Sequence, residues 1–323
     1  MRPAETNFHY GGSGLGERPA RRYSRRMNTL SRRSFLATSA ATLAAASLSQ
    51  RLSAADAAIG AKGNIHHSVC KWCYPKVSLD ELCAAGKEMG LTSIDLLQPA
   101  DFPTLKKHDL ICAMVSNPTI KAPDGKALGG IERAWNRKEH HDLLVQAYEP
   151  QIAAVADAGM KHLICFSGNR EKLDDESGIK NCAEGLKRLM PLCEKRGIIL
   201  CMELLNSRVN HPDYQCDKSA WGIKLCKQVG SANFKLLYDI YHMQIMEGDV
   251  IATIKRSHEY FAHYHTGGVP GRHEIDETQE LNYGAIMRAI VETGHKGHVA
   301  QEFIPARPDV LASLKQAVGI CDV

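Results

Sequence analysis

From residue 64 to the C-terminus, short β-prone apolar runs alternate with longer stretches in which apolar residues recur every three or four positions. The short runs predict strands and the longer ones helices, because each spacing places apolar side chains on one face. A glycine, the usual residue beyond a helix C-terminus, follows most predicted helices. The predicted strands cover 65–71, 93–97, 110–115, 162–166, 198–204, 234–239, 261–265 and 298–303. The predicted helices cover 78–89, 102–107, 140–158, 178–196, 219–229, 250–258, 283–293 and 310–317.

Eight strand–helix pairs in succession predict parallel strands joined by right-handed helical crossovers. Residues 58–323 have about the length of a closed (β/α)8 barrel, so we predict an α/β fold of the TIM-barrel type rather than an open sheet. No G-x-G-x-x-G sequence follows the first predicted strand, which argues against a dinucleotide-binding domain. The sequence beyond residue 57 gives no sign of a second domain.

The distribution of charge limits the classes of binding partner. Hydrophobic residues make up 44% of the chain and charged residues 24%, as in globular proteins that fold in water. The formal net charge of +4 arises at the N-terminal end, since residues 1–57 contain nine arginines and three acidic residues, which leaves −2 for residues 58–323. That balance provides no basic surface for nucleic acid or an anionic membrane, so we predict a small-molecule partner.

The arginine-rich N-terminus has the order of an export signal. The residues SRRSFL at 31–36 precede an apolar run of mostly small residues at 37–48. Paired arginines before Phe-Leu are typical of the twin-arginine route. The apolar run is too short for a stable membrane span.

We therefore predict two parts of the chain, a cleavable signal segment at 1–57 and the barrel at 58–323. The small residues around Ala54 and Ala57 favour cleavage after either of them. Translation could begin at Met27 instead of Met1. The predicted location of the mature protein is the periplasm or another extracytoplasmic space. A chain whose leader is not used would stay in the cytoplasm.

The eleven cysteines do not predict a disulfide framework. Their number is odd and their spacing is irregular. Several, such as Cys165 and Cys201, lie in apolar patterns where cysteine acts as a small hydrophobic residue. Cys70 and Cys73 form a lone C-x-x-C, which is a weak zinc signal without a second pair. We predict a structural role for the cysteines.

Each of the last four predicted strands ends in a side chain that can bind a metal ion. The four residues are Glu203, Asp239, His265 and Glu302. Their separations of 36, 26 and 37 positions are about one strand–helix unit each, so they arrive at the strand ends where barrel active sites lie. A charge within an apolar run needs a partner, because its burial alone costs several kcal/mol. Three carboxylates and one imidazole favour Mn²⁺ or Mg²⁺, with Zn²⁺ as the alternative.

Four further residues are candidates for substrate binding. His242 lies three residues after Asp239 and could ligate weakly or hydrogen-bond a substrate oxygen. Arg272 follows the seventh predicted strand, and its planar fork suits a substrate carboxylate. Asn206 follows the fifth strand, and Trp72 follows the first, where its ring could form a pocket wall. The alternatives are structural: a surface histidine, a loop salt bridge and core packing.

The motifs around these residues resemble those of the xylose isomerase-like barrel family, and most closely its hydroxypyruvate isomerase branch. The resemblance covers residues 64–323 and includes an Asp-x-x-His sequence, then Pro-Gly-Arg, then Glu-Leu-Asn-Tyr. The motifs are MELLN at 202–206, YDIYHMQIMEG at 238–248, VPGR at 269–272, ELNY at 280–283 and QEF at 301–303.

The resemblance implies an aldose–ketose isomerase, that is, an intramolecular oxidoreductase. It implies a divalent metal held by Glu203, Asp239, His265 and Glu302, with the two glutamates moving a proton on opposite faces of an enediolate. Hydroxypyruvate would become tartronate semialdehyde, and Arg272 would hold its carboxylate.

Two other functions stay open at this stage. A ketose epimerase or keto-sugar dehydratase could use the same metal site. An exported carbohydrate-binding barrel without turnover belongs to another class, and the presence of both Glu203 and Glu302 argues against it. DNA-repair barrels of the endonuclease IV type need more histidine ligands and a basic groove. The sequence leaves open the physiological substrate, the identity of the metal and whether the protein is a homo-oligomer.

Overall fold

The computed structural model describes residues 62–323. The predicted signal segment and its cleavage positions lie outside the described residues, so the export route stays a prediction. No helix within the described range is long and apolar enough to cross a membrane.

A curved sheet of six parallel strands forms the barrel wall, and two short strands form a separate hairpin. The strands are β1 His66–Val69, β2 Ile120–Lys121, β3 Ala127–Leu128, β4 His162–Cys165, β5 Ile199–Glu203, β6 Phe234–Asp239, β7 Phe261–Thr266 and β8 His298–Gln301. The order in the sheet is β1-β8-β7-β6-β5-β4, and β2 pairs with β3 in antiparallel fashion. Because β1 pairs with β8, the first and last parallel strands of the described chain lie side by side.

The predicted strands at 93–97 and 110–115 do not form regular ladders. Both segments take part in isolated parallel bridges, which connect Cys70 beside β1 stepwise to Leu163 in β4. Leu96 has a left-handed backbone with φ of 61°, which interrupts regular strand geometry. The prediction of two full strands is therefore wrong, while the α/β xylose isomerase-like TIM-barrel fold is confirmed.

The α-helices of the described range pack around this wall. They cover Leu79–Glu88, Phe102–Lys107, His141–Asp157, Asp175–Lys187, Met190–Arg196, Ser219–Val229, Ile240–Met246, Val250–Ser257, Tyr283–Glu292 and Val310–Cys321. The predicted helix at 178–196 is two helices, Asp175–Lys187 and Met190–Arg196. Pro191 lies in the first turn of the second helix, and because proline lacks a backbone N–H it cannot continue the hydrogen bonding of the first helix. The helix that begins at Ile240 was not predicted. Its N-cap is Asp239, whose side chain accepts a hydrogen bond from the His242 N–H at 3.0 Å.

All eleven cysteines fall within the described residues, and all are buried and unpaired. Burial raises the pKa of thiols such as Cys182, Cys193 and Cys201. These thiols therefore stay protonated and act as small apolar side chains, as predicted from their positions.

The start of the described chain is tied to its end. The backbone N–H of Lys62 donates to Asp322 Oδ1 at 3.0 Å, and its ammonium donates to the Asp322 carbonyl at 3.1 Å. The Asn64 side chain donates to the Val323 carbonyl at 2.8 Å. These bonds hold the segment before β1 against the end of the last helix.

Several histidines lie near the N-terminal ends of the strands, opposite the strand ends that carry the predicted ligands. His162 begins β4 and donates to the Ala113 carbonyl at 3.0 Å, while His298 begins β8 and His295 precedes it. Burial lowers the pKa of His162, His295 and His298 to about 4, and the nearby His263 contributes in the same direction. The folded barrel therefore keeps these rings neutral.

This arrangement predicts that acid destabilises the barrel. The unfolded chain binds protons at these histidines near pH 6.5, before the folded chain does, so their contribution is fully present above pH 6.5 and is lost as the pH falls toward 4. We expect a slope of up to about 1.4 kcal/mol per pH unit for each histidine in urea unfolding curves. Replacing all three by glutamine should flatten that slope, whereas His258→Gln, at an exposed position, should not. An unchanged slope in the triple variant would contradict this assignment.

Candidate metal centre

The four predicted ligands come together at the C-terminal end of the barrel. Glu203, Asp239 and His265 lie at the ends of β5, β6 and β7, and Glu302 directly follows β8. The pairing of neighbouring strands places these residues at the same height along the barrel axis. Asp239 pairs with His265, and the Glu302 N–H donates to the Thr266 carbonyl at 3.1 Å. One ligand atom from each of the four lies within 4.8 Å of every other.

These four side chains are almost completely shielded from water. Asp239 and His265 are 0% exposed, Glu302 3% and Glu203 4%. His265 Nδ1 lies 2.9 Å from Glu302 Oε2 and 3.5 Å from Glu203 Oε1. Glu203 Oε1 has no well-oriented hydrogen-bond donor, so it is a buried acceptor without a partner.

The electrostatics of the cluster call for additional positive charge. Burial raises the pKa of Asp239 to about 8, and the Glu302 charge acts in the same direction against the opposing effect of Arg272. Burial also raises the pKa of Glu203. Burial alone would raise the pKa of Glu302, but the charges of His265 and Arg272 hold it well below its usual range. Three ionised carboxylates are therefore not balanced by the two protein cations alone.

The donor set fits a divalent cation. Three carboxylates and one imidazole, all buried, are ligands that Mn²⁺, Mg²⁺ and Zn²⁺ accept, and the unpartnered oxygen of Glu203 is free to coordinate. A cation at this point would also favour ionised Asp239 and Glu203.

Arg272 reaches the cluster from the loop after β7. Its backbone is left-handed, with φ of 59°, and its N–H donates to the Gly268 carbonyl at 2.8 Å within a tight turn. The guanidinium lies 5.2 Å from the Trp72 ring centroid and 5.3 Å from that of Tyr241. It also contacts Asp239 Oδ2 at 3.3 Å and the carboxylate of Glu302. Aromatic rings thus hold the predicted carboxylate-binding cation beside the predicted metal ligands.

A cavity of about 340 Å³ opens directly above this cluster. Its polar lining contains Glu203, Glu302, Arg272 and Trp72, and the Trp72 indole N–H donates to Glu302 Oε1 at 2.8 Å. The other lining residues are not among the predicted metal ligands or the four predicted substrate-binding residues. They are Leu96, Ser116, Asn117, Ile131, Ile164, Phe166, Leu205 and His211.

A family model described as a xylose isomerase-like TIM barrel matches residues 85–317, which is more than two thirds of the chain. The chain belongs to this family. The matched residues include all four side chains of the cluster.

The chain is also similar in sequence to individual isomerases. Over 110 residues the chain is 37% identical to a 2-oxo-tetronate isomerase of Cupriavidus necator, covering 34% of this chain and 42% of that protein. The chain therefore spans less than half of the length of that relative. Over 225 residues it is 29% identical to the hydroxypyruvate isomerase of Escherichia coli, covering 68% of this chain and 84% of that protein.

A solved structure supports the fold independently. The AP endonuclease, family 2 from Brucella melitensis, superimposes with a TM-score of 0.68 at 24% identity, covering 77% of this chain and 96% of that one. At this identity the likeness shows the xylose isomerase-like barrel fold alone.

Two predicted substrate-binding residues of this barrel do not line the cavity. Asn206 and His242 are both 0% exposed and bind each other, with Asn206 Nδ2 and His242 Nδ1 2.6 Å apart. Asn206 Oδ1 also accepts the N–H groups of Val209 and Asn210 at 2.9 Å. His242 Nε2 lies 3.6 Å from Asp239 Oδ2. The pair connects the loop after β5 to the Asp239 ligand, and its contact with substrate stays a prediction.

A second buried group consists of His265 with Asp95 and His263, which were not predicted as site residues from the sequence. Asp95 lies inside a predicted strand rather than at its end, and His263 lies two residues before His265 in β7. The period-two pattern of a strand could have found His263, since residues 263 and 265 face the same side.

Removal of the Asn206 side chain tests whether it is structural. We expect Asn206→Ala to lower the free energy of unfolding by about 1–3 kcal/mol, because it leaves two backbone N–H groups without their acceptor and removes the side-chain partner of His242 Nδ1, which keeps only the Asn206 backbone N–H. Urea unfolding measures this change, and Val209→Ala, at an exposed position in the same loop, should stay within about 0.5 kcal/mol of wild type. Unchanged stability in Asn206→Ala would contradict the structural role.

Proposed function

We propose that this barrel is a metal-dependent aldose–ketose isomerase that interconverts hydroxypyruvate and tartronate semialdehyde. One observation carries the proposal. Of the four clustered ligands, Glu203 and Glu302 line the cavity, whereas Asp239 and His265 do not. Two carboxylates that face both the metal cluster and the cavity are suited to move a proton on a bound substrate. The names of the family relatives support the same class of reaction.

The reaction needs no external oxidant or reductant. One glutamate removes a proton from C3 of hydroxypyruvate, and the C3–H electron pair forms the double bond of an enediolate between C2 and C3. A carboxyl group then delivers a proton to C2, where a new C–H bond forms. The hydroxyl proton on the C3 oxygen leaves and the C2 oxygen gains one, which gives the aldehyde.

The remaining site residues bind and orient the substrate. A bound divalent cation supplies the positive charge that stabilises the developing charge on the substrate oxygens. Glu203, Asp239, His265 and Glu302 would hold it, and Mn²⁺ or Mg²⁺ suits their oxygen-rich set. Arg272 faces the cavity between two aromatic rings and would bind the substrate carboxylate. Apolar side chains such as Leu96, Ile131 and Phe166 limit water in the cavity.

The two-glutamate proposal makes a direct kinetic prediction. Glu203→Gln and Glu302→Gln should each lower kcat for hydroxypyruvate about 10²- to 10⁴-fold, because glutamine cannot accept or return a proton. The measurement is proton exchange and product formation in D₂O by NMR with Mg²⁺, together with metal content after dialysis. Glu277→Gln, at an exposed acidic residue, is the matched control. Turnover that survives either substitution would contradict the mechanism. Turnover that survives chelation of the metal would contradict the metal dependence of the reaction.

The substrate class is tested at Arg272. Arg272→Lys loses the planar fork, so KM for hydroxypyruvate should rise about 10-fold or more. The rise should be smaller for uncharged ketoses, which are affected only through the lost Arg272 contacts with Asp239 and Glu302. His273→Gln, the exposed neighbour, controls for disturbance of the loop. A panel of keto acids and ketoses distinguishes the alternatives. Faster turnover of uncharged ketoses, with epimerised products, would favour an epimerase at the same two glutamates.

A further inference from the structure

The two ring nitrogens of His265 face different groups. Nδ1 faces the carboxylates of Glu302 and Glu203 at the candidate metal centre. Nε2 faces the barrel interior, where Asp95 Oδ2 and Cys70 Sγ each lie 3.7 Å away. Because Nδ1 is the atom directed at the other ligands, a metal bound by His265 would be bound through Nδ1.

The carboxylate of Asp95 is held firmly in the barrel interior. Asp95 is 0% exposed, and its Oδ1 accepts hydrogen bonds from Ser68 Oγ at 2.6 Å and Ser93 Oγ at 3.0 Å. Ser93 Oγ in turn accepts the Ala113 N–H at 2.8 Å. These bonds come from β1 and from both bridged segments of the wall, so the orientation of Asp95 depends on the whole irregular side of the barrel.

The second oxygen of Asp95 is directed at two histidines. Asp95 Oδ2 lies 2.6 Å from His263 Nε2 and 3.7 Å from His265 Nε2, and it has no well-oriented hydrogen-bond donor. The His263 ring packs edge-on against the His265 ring, with centroids 5.2 Å apart and planes at 84°. A buried, negatively charged oxygen therefore faces the side of His265 that is turned away from the metal ligands.

We propose that Asp95 is a positioning residue for the metal ligand His265, which keeps the proton of the neutral imidazole on Nε2 so that the Nδ1 lone pair is directed at the metal. A neutral imidazole carries one N–H, and a ligating histidine usually donates its other ring N–H to a carboxylate or carbonyl. The 3.7 Å separation is longer than a hydrogen bond, so Asp95 acts on His265 through the negative charge of its carboxylate. The inference rests on the proposed metal centre.

The first test is metal affinity, measured as the Kd for Mn²⁺ by EPR on the full chain. Asp95→Asn keeps the size of the side chain and removes its charge, and we expect the Kd to rise about 10- to 100-fold. Cys70→Ala removes the other neighbour at the same distance from Nε2, and its Kd should stay within about threefold of wild type. Equal affinities for Asp95→Asn and wild type would overturn the proposal. If the wild-type protein bound neither Mn²⁺ nor Mg²⁺, the proposed metal centre itself would be contradicted.

The second test does not depend on the folding of Asp95→Asn. In the Mg²⁺-loaded wild-type protein labelled with ¹⁵N-histidine, the His265 ring should show a proton on Nε2 and none on Nδ1. The resonance is assigned by its loss in His265→Gln. A proton found on Nδ1 would overturn the proposal even if Asp95→Asn does not fold.

Discussion

The repulsion among three buried carboxylates is the constraint on which the catalytic end of the barrel depends. Two unit charges at most 4.8 Å apart repel by at least about 3.5 kcal/mol at an effective dielectric constant of 20, and Glu203, Asp239 and Glu302 form three such pairs. Positive and hydrogen-bond-donating groups surround these carboxylates. Arg272 is held between two aromatic rings, His265 lies between the glutamates, and the Trp72 indole donates to Glu302. A barrel that concentrates like charges in this way is suited to hold a divalent cation.

The fold supplies the precision that such a cluster requires. The ligands stand at the ends of neighbouring strands, so backbone hydrogen bonds between the strands, rather than flexible loops, set their relative heights. Asp239 shows how closely fold and site are joined. It ends β6, caps the helix that starts at Ile240, and contributes one of the three carboxylates of the candidate metal centre. Strand, helix and site therefore meet at one residue.

The sequence predicted which four side chains cluster because strand ends and isolated acids in apolar runs are local features of the chain. The parts that it did not predict depend on contacts between distant segments. The pairing of Asn206 with His242 joins residues 36 positions apart, and the approach of Asp95 to His265 crosses the barrel interior. Hydropathy could not show that residues 93–97 form bridges instead of a ladder, since their apolar pattern is that of a strand. Pro191 was a local signal within the predicted helix 178–196 that could have located its division.

The bonds that tie Lys62 to Asp322 have a consequence for the order of the chain. Since the two ends of the barrel are in contact, a short peptide could join them without moving β1 or the last helix. New termini could then be opened in the exposed turn at residues 123–126, between the two strands of the hairpin. Such a circularly permuted barrel would keep all four ligands on the same strand ends. The arrangement of these four side chains thus depends on the order of the strands around the barrel and not on where the chain begins and ends.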